Sequence, residues 1–315
     1  MEFEWYFRQG ISEIRKIYKK ITGRQFSSAA YAHKTVLDEE KGSTLLASSI
    51  VSGHPYMAAR YGYVEMETMA AVYYYKKTGN DRLLNKVMNK ADIFNNAGFF
   101  PQDREKVIRF GELMMEYSQE LDMLGVWYIP YEEYFINKLA KNTVLTKLRT
   151  YEPWNAAIPW TRCLNNKKVL VVHPFAETIQ SQYEKREQLF VNTDMLPKFE
   201  LLTYKAVQTI AGNRDPRFDD WFEALDFMFS DIMKMDFDVA ILGCGAYGFP
   251  LAAKIKKSGK QAVHIGGATQ LLFGIKGSRW DHHPTISKLY NENWVRPGEK
   301  EKPEGFQKIE SGCYW

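Results

Sequence analysis

The glycines of residues 243–248 have the spacing that phosphate binding requires. Gly243, Gly245 and Gly248 form the pattern G-x-G-x-x-G directly after residues 237–242, an apolar run of buried-strand length. Such glycines let the backbone turn tightly and bring a phosphate close to the N-terminus of the following helix. The alternative is that they only allow a helix to pack closely on a strand.

The residues after this turn complete a predicted βαβ unit. Residues 247–257 have the apolar spacing of a helix, and residues 261–265 form a second short strand that Gly266 and Gly267 end. A dinucleotide site also needs an acidic residue about 20 positions further on, for the ribose hydroxyls. Here the second strand ends in H-I-G-G, without an acidic residue. The pattern therefore favours phosphate binding and weighs against NAD.

Polar residues lie at the ends of three predicted strands. His173 ends a strand over residues 167–173, and His264 lies in the second strand of the βαβ unit. Arg60 lies at the end of a third strand, shortly before Glu65 begins a helix. Ligands bind at the carboxyl ends of parallel strands, so these four residues are candidate site residues. A single histidine such as His173 also fits a purely structural role.

Two pairs of acidic residues offer oxygen ligands. Glu65 and Glu67 lie two positions apart at a strand–helix turn, and Glu132 and Glu133 form a second pair. Carboxylates of this kind suit Mg²⁺ or Mn²⁺ bound together with a substrate diphosphate. The alternative is that acidic residues at a helix start only complement the helix dipole.

Two segments of the sequence resemble a known family. Residues 59–65 read A-R-Y-G-Y-V-E and resemble the R-F-G-D-G-E signature of the GT-D-fold glycosyltransferases, which are glucosyltransferases best known from bacterial adhesin glycosylation. Residues 238–243, D-V-A-I-L-G, and residues 259–266, G-K-Q-A-V-H-I-G, resemble the two strands of that family's second half. The segments occur in the family's order, and the middle of the chain is only loosely comparable.

The resemblance implies a metal-assisted sugar transfer. In the family, the carboxylates of a D-x-E motif serve the metal and the diphosphate of a nucleotide sugar, and Glu65 corresponds to the second of them. Tyr63 stands at the position of the Asp, and Gly267 stands where the family tends to have a His. Arg60 corresponds to the arginine of the signature and is expected to pair with phosphate. The expected cofactor is an Mg²⁺ or Mn²⁺ ion at Glu65.

The residues and the resemblance lead to the same expected site. A nucleotide-diphosphate sugar would be the donor and a glycan or glycoprotein the acceptor, and Glu65, His173 or His264 would orient or deprotonate the acceptor hydroxyl. The expected contacts to the donor and its phosphates are Arg60, Gly62, Gly243, Gly245, Gly248, Gly266, Gly267, Lys276 and Arg279. Two alternatives stay open. One is another enzyme of Rossmann type, such as an oxidoreductase or a methyltransferase, and the other is a non-catalytic nucleotide- or sugar-binding protein.

The order of the predicted elements indicates one α/β domain over residues 1–315. We expect a Rossmann-like, mostly parallel sheet with flanking helices. Residues 1–160 form a helix-rich half with two strands, and residues 161–315 alternate strands and helices before a wrapping tail. The polar strand ends predict one cleft between the halves.

Composition limits the classes of partner. The net charge of +4 is too small for a dedicated nucleic-acid binder, so no nucleic-acid partner is expected. The three cysteines form no C-x-x-C pair, which indicates a reducing, cytoplasmic location. Residues 1–25 predict a basic amphipathic helix that either packs on its own domain or makes peripheral contact with the inner face of the membrane. The motifs of α/β-hydrolases, zincins and P-loop kinases do not occur.

Overall fold

A computed structural model of the protein describes residues 28–309 and 311–315, and these residues build a mixed sheet of nine strands. The strands are β1 (Ala30–Tyr31), β2 (Lys34–Leu37), β3 (Tyr56–Ala59), β4 (Met123–Val126), β5 (Val144–Lys147), β6 (Lys168–His173), β7 (Glu200–Lys205), β8 (Val239–Leu242) and β9 (Gln261–His264). Their order across the sheet is β1-β2-β5-β4-β3-β9-β8-β6-β7. Only β1 and β2 pair antiparallel among these strands. The predicted Rossmann-like, mostly parallel α/β fold is confirmed.

The two halves of the chain join in the middle of this sheet. β3 pairs with β9 in parallel, with Met57 opposite Ala262 and Ala58 opposite Val263. The prediction of two strands in the first half is wrong, because β1 to β5 all belong to that half. β2 and β5 are short, and part of each is polar, so neither has the continuous apolar pattern of a buried strand.

Helices cover both faces of the sheet. They are α1 (Glu39–Ser52), α2 (Tyr63–Thr78), α3 (Arg82–Lys90), α4 (Asp92–Asn95), α5 (Arg104–Tyr117), α6 (Glu132–Leu139), α7 (Ala176–Tyr183), α8 (Arg186–Leu189), α9 (Trp221–Ile232), α10 (Gly248–Lys257) and α11 (Thr269–Leu272). Along β6, Leu170 and Val172 pack on the face that α2, α5, α9 and α10 cover, whereas Val169 and Val171 pack on the face of α1, α7 and α11. Both faces of the central strands are therefore buried, as in doubly wound folds.

Local capping chemistry explains where several helices begin and end. Asp38 caps α1 by accepting the Lys41 N–H, and Asp220 caps α9 by accepting the Glu223 N–H. The apolar spacing of residues 81–95 predicts one helix, but Ala91 adopts a left-handed φ of 59° and divides it into α3 and α4. This break places the start of α4 beside the cleft described below.

The amphipathic helix predicted for residues 1–25 lies outside the described residues. In the part of the chain that the structure describes, no helix combines the length and the apolar character needed to cross a membrane. The expected peripheral membrane contact therefore stays a prediction.

Candidate functional site

A cleft of about 680 Å³ lies where β3, β9, β8 and β6 end. The chain leaves β3 and β8 toward α2 and α10 on one face of the sheet, and it leaves β9 and β6 toward α11 and α7 on the other face. Because neighbouring connections diverge, a crevice opens between them at the carboxyl edge. This is the location at which ligands bind in open α/β sheets.

Most of the predicted site residues line this cleft. They are Arg60, Gly62, Glu65, His173, Gly243, Gly245, His264, Gly266, Gly267 and Arg279. Gly248 and Lys276 are not among the lining residues. Gly248 lies beneath His264, because a Cβ at this position would stand 2.5 Å from His264 Nε2. The Lys276 ammonium lies 5.4 Å from the centroid of the Tyr290 ring.

Arg60 lies between an aromatic ring and a glycine. Its guanidinium carbon is 5.1 Å from the centroid of the Trp127 ring. On the side of β9, a Cβ built on Gly266 would lie 2.8 Å from Arg60 Nε, so any side chain at 266 would displace the guanidinium. The Trp127 ring is itself fixed, because its Nε1–H donates to the Tyr61 carbonyl over 3.1 Å. A planar cation is thus held in the wall of the cleft.

The Glu65 side chain folds back onto the start of its own helix. Gly62 is the N-cap of α2, and a Cβ built on Gly62 would overlap the Glu65 carboxylate. Burial raises the pKa of the Glu65 carboxyl, while its own N–H and the nearby Arg60 lower that pKa in part. The carboxylate therefore lies at the positive end of α2, next to a guanidinium.

Tyr63 makes polar contacts outside any ligand set for a cation. Its hydroxyl donates to Glu67 Oε1 over 3.2 Å, and the Lys90 ammonium lies 5.8 Å from the centroid of its ring. Lys90 is also ion-paired with Asp92 Oδ2 and Glu67 Oε2. The acidic groups around Tyr63 are thus neutralised by a lysine.

The donor set near Glu65 does not fit an Mg²⁺ or Mn²⁺ ion. No group of three or more His, Cys, Asp or Glu residues that could hold a metal occurs within residues 28–309 and 311–315. The second predicted acidic pair offers no site, because Glu132 is fully buried and accepts the Tyr128 N–H over 2.8 Å. Hard divalent cations prefer several oxygen ligands, whereas Glu65 has the Arg60 cation beside it.

Both predicted histidines are buried and neutral. His173 is 4% exposed, and its Nδ1 accepts the Phe175 N–H over 3.0 Å, so the proton of the neutral ring lies on Nε2. Burial lowers the pKa of His173 to about 3. Burial, followed by the charge of Arg60, lowers the pKa of His264 to about 3, although the Arg60 main chain acts in the opposite sense. These rings suit hydrogen bonding better than proton abstraction at neutral pH.

The glycine turn after β8 brings His173 close to the end of the neighbouring strand. A Cβ on Gly243 would lie 2.7 Å from His173 Cδ2 and 2.5 Å from Thr269 Oγ1. Gly245, two positions later, adopts a left-handed φ of 58°. Position 243 therefore has to be glycine because a side chain there would collide with His173, and position 245 favours glycine because of its left-handed backbone.

The end of the chain supplies a wall that sequence patterns did not indicate. Tyr314 lies over Gly267, and its hydroxyl accepts a hydrogen bond from Arg279 Nη1 over 3.2 Å. Trp315 also lines the cleft and packs against Phe175, with ring centroids 5.8 Å apart. The predicted wrapping tail thus forms part of the site.

Glu301 joins this tail to the start of α7. Its carboxylate is 4% exposed and accepts the N–H groups of Glu177 and Thr178 over 3.0 and 3.1 Å, at the start of α7. It also accepts the Gly298 N–H over 3.2 Å. The N-terminus of α7 is therefore occupied by a carboxylate of the protein itself, so a bound anion has to use the other strand ends.

The fold and the cleft define a Rossmann-like α/β protein with a crevice, lined by charged and aromatic residues, at the carboxyl ends of its central strands. No protein-family model matches the sequence, and no curated protein matches it. A solved structure described as a selenomethionine-substituted domain of unknown function 1792 (DUF1792) is similar over 86% of this chain and 93% of that chain, with 12% sequence identity and a TM-score of 0.43. So distant a likeness assigns no function.

Proposed function

We propose that the protein is a glycosyltransferase that moves a sugar from a nucleotide-diphosphate donor to a glycan or glycoprotein acceptor in surface polysaccharide biosynthesis. The observation that carries this proposal is the contact between Arg60 and Gly266. It brings the segment of residues 59–65 and the βαβ unit of residues 238–266, which together resemble the GT-D-fold enzymes, to one cleft. A guanidinium beside a glycine-lined strand end is suited to a diphosphate.

The proposed donor lies across the carboxyl ends of β3, β9 and β8. A cleft of about 680 Å³ is within the size range of small-molecule sites. Arg60 pairs with the diphosphate, and N–H groups of residues 244–246, in the turn before α10, contact it. The N–H groups of Gly243 and Tyr247 already donate to the Val172 and Cys244 carbonyls. Arg279, on the exposed side of the cleft, adds a second positive charge. Together these groups stabilise the departing nucleoside diphosphate.

The neutral histidines and Glu65 take different roles in this proposal. His173 donates from Nε2 to a phosphate oxygen on which charge develops, since its Nδ1 already accepts the Phe175 N–H. His264 orients a substrate hydroxyl. Glu65 accepts the proton of the acceptor hydroxyl, because its raised pKa brings the carboxyl closer to the working pH than an ordinary glutamate.

A specific observation favours a second candidate function, a non-catalytic nucleotide- or sugar-binding protein. The Glu65 carboxylate lies on Gly62 at the helix start, and the two histidines have a pKa of about 3. If Glu65 only stabilises α2, the cleft contains no strong base among the three predicted catalytic residues. Binding without transfer is the expected behaviour of such a protein.

A ligand screen followed by a turnover assay tests the proposal. Thermal shifts are measured with nucleotide sugars, NAD(P) and S-adenosylmethionine, and release of nucleoside diphosphate is then followed with the best donor. We expect nucleotide sugars to stabilise the fold, by about 2.7 kcal/mol at a ligand concentration one hundred times Kd, and to be turned over. Stabilisation by NAD(P) or S-adenosylmethionine alone would overturn the proposal. Stabilisation by nucleotide sugars with neither hydrolysis nor transfer would favour the second candidate.

A further inference from the structure

We propose that the protein holds the diphosphate of its donor without a divalent cation, through Arg60, the Nε2–H of His173 and the glycine turn after β8. This inference rests on the proposed function and deepens it, because it states how the same site meets the charge of its substrate. It also departs from the metal that the family resemblance implies.

Tyr63 stands at the position of the aspartate in the D-x-E motif of the family. Tyr63 has no carboxylate, and its hydroxyl is engaged with Glu67 over 3.2 Å. Its ring faces the Lys90 ammonium at 5.8 Å from the centroid. A cation thus already lies beside Tyr63, and it belongs to the protein.

Glu65 is the carboxylate of the D-x-E motif that this chain retains. Glu65 lies against Gly62 at the N-terminus of α2, where the helix dipole is positive, and Arg60 acts on it electrostatically. A divalent ion bound to Glu65 would be repelled by both of these positive groups. Binding it would also require the carboxylate to leave the helix end.

A divalent ion would also need oxygen ligands other than Glu65. Glu65 and Asp92 are the carboxylates among the lining residues that the structure describes. Asp92 forms an ion pair with Lys90, with Oδ2 and Nζ 2.5 Å apart. Among its described lining residues, the cleft therefore lacks a second carboxylate that is not already neutralised.

Positively charged side chains take the place of the metal in this proposal. The charged residues that line the described cleft are Arg60, Lys90 and Arg279 against Glu65 and Asp92. The Arg60 guanidinium carbon lies 5.1 Å from the centroid of the Trp127 ring, and its Nη1 donates to the Tyr61 carbonyl over 3.4 Å. The remaining N–H groups of the guanidinium can meet two phosphate oxygens at once. His173 adds a neutral N–H donor near Gly243. Among the described lining residues, positive charge is thus in excess where the diphosphate is proposed to bind.

Calorimetric titration with UDP, GDP, CDP and ADP tests this inference on the intact protein, once in excess EDTA and once in excess Mn²⁺. We expect the diphosphate that binds to have the same Kd in both buffers within about threefold, which is less than 1 kcal/mol. Binding that is about tenfold or more weaker in EDTA would overturn the inference and leave the proposed function intact. If none of the diphosphates binds in either buffer, the inference and the proposed function both fail.

Substitutions at residue 63 sharpen this test. Tyr63→Asp restores the first carboxylate of the D-x-E motif, and we expect its diphosphate binding to become tighter in Mn²⁺ than in EDTA. Tyr63→Phe, the matched control, keeps the ring but loses the hydrogen bond to Glu67, and its binding should remain indifferent to Mn²⁺. Wild-type protein whose diphosphate binding becomes tighter in Mn²⁺, as that of Tyr63→Asp should, would overturn the inference. Circular dichroism of each variant confirms that it is folded before titration.

Discussion

Arg60 Nε lies 2.8 Å from the point where a Cβ of residue 266 would stand. Arg60 follows β3 and Gly266 follows β9, and these two strands are neighbours in the sheet although they come from opposite ends of the chain. The contact therefore exists only when the two halves have paired. It makes the guanidinium a shared feature of both halves and the natural first target for mutation.

Replacing Arg60 should weaken binding of the nucleoside diphosphate more than it affects folding. Hydrogen bonds to charged groups contribute about 1.5–3 kcal/mol, so Arg60→Ala should raise Kd by about 10- to 100-fold. Arg60→Lys should recover only part of this loss, because an ammonium cannot reproduce the planar, bidentate geometry. Calorimetric titration measures both effects.

Arg104 is a matched control for Arg60. Its guanidinium carbon also lies 5.1 Å from the centroid of an aromatic ring, that of Tyr75, but Arg104 is not among the residues that line the cleft. Arg104→Ala should leave Kd unchanged. An equal loss of affinity in the two variants would show that the Arg60 effect comes from lost packing or charge in general.

His173 should make stability depend on pH in a defined direction. Burial lowers the pKa of His173 from 6.5 to about 3, so the folded protein binds this proton less readily than the unfolded chain. The contribution to stability is present above pH 6.5 and is lost as pH falls toward 3, by about 1.4 kcal/mol per pH unit within that window. His173→Gln, which carries no titrating ring, should lose less stability on acidification. Urea denaturation between pH 7 and pH 4.5 measures the difference.

His173→Gln also tests whether His173 acts as a hydrogen-bond donor or as a base. The side-chain amide introduced by His173→Gln would keep an N–H near the position of Nε2, so this variant should retain more transfer activity than His173→Ala. If His173 acted as a base, His173→Gln and His173→Ala would lose transfer activity equally.

Glu65 should make stability depend on pH in the direction opposite to that of His173. Burial raises the pKa of its carboxyl above 4.5, so the folded state binds the proton more tightly than the unfolded state. Stability from this group is complete below pH 4.5 and is lost as pH rises through the folded pKa. Glu65→Gln should therefore gain in stability relative to wild type as pH increases, and the gain should then level off. Denaturant unfolding from pH 4 to pH 8 measures this.

Glu105, an exposed acidic residue in the first turn of α5, is the control for Glu65. Its replacement by Gln should shift stability by about 0.3–1 kcal/mol, as is usual for an exposed charge near a helix start. A difference between Glu65→Gln and wild type that does not change with pH would contradict the burial of the Glu65 carboxyl.

The βαβ unit could be predicted because its signals are local. The apolar run before Gly243, the helical spacing after Gly248 and the glycines after His264 each define an element within a few residues. β2 and β5 could not be predicted in the same way. They are four residues long and half polar, and they pair with each other over a long sequence distance, so tertiary pairing defines them.

The residues of the site likewise divide into those that local sequence signals predict and those that only tertiary contacts define. Residues at strand ends, such as Arg60 and His173, could be found because parallel strands place their carboxyl ends at one edge. Trp127 follows β4, but its contact with Arg60 depends on β4 lying next to β3. The position of Tyr314 over Gly267 depends on the path of the tail, which has no periodic pattern. Only its charge makes Lys276 a candidate in the sequence, and the fold turns it toward Tyr290.

Neutralising Glu301 should loosen the tail wall of the cleft. Its carboxylate accepts the N–H groups of Glu177 and Thr178 at the start of α7, so Glu301→Gln should lower the free energy of unfolding by about 1–3 kcal/mol. The tail that it fixes includes Tyr314 and Trp315, so affinity for the nucleoside diphosphate should fall as well. Amide hydrogen exchange at residues 177–178 and 311–315, together with titration, measures both effects.

Glu299 separates this effect from a general loss of negative charge in the tail. Its side chain is 86% exposed and pairs with Lys302, so Glu299→Gln should change stability by less than about 0.5 kcal/mol and leave exchange at residues 177–178 slow. If Glu301→Gln destabilises the protein but binds the diphosphate as wild type does, the tail stabilises the fold without shaping the site. If exchange rises at residues 177–178 and 311–315 while Kd increases, Glu301 is a positioning residue, because it acts on the ligand only through the segment that it holds.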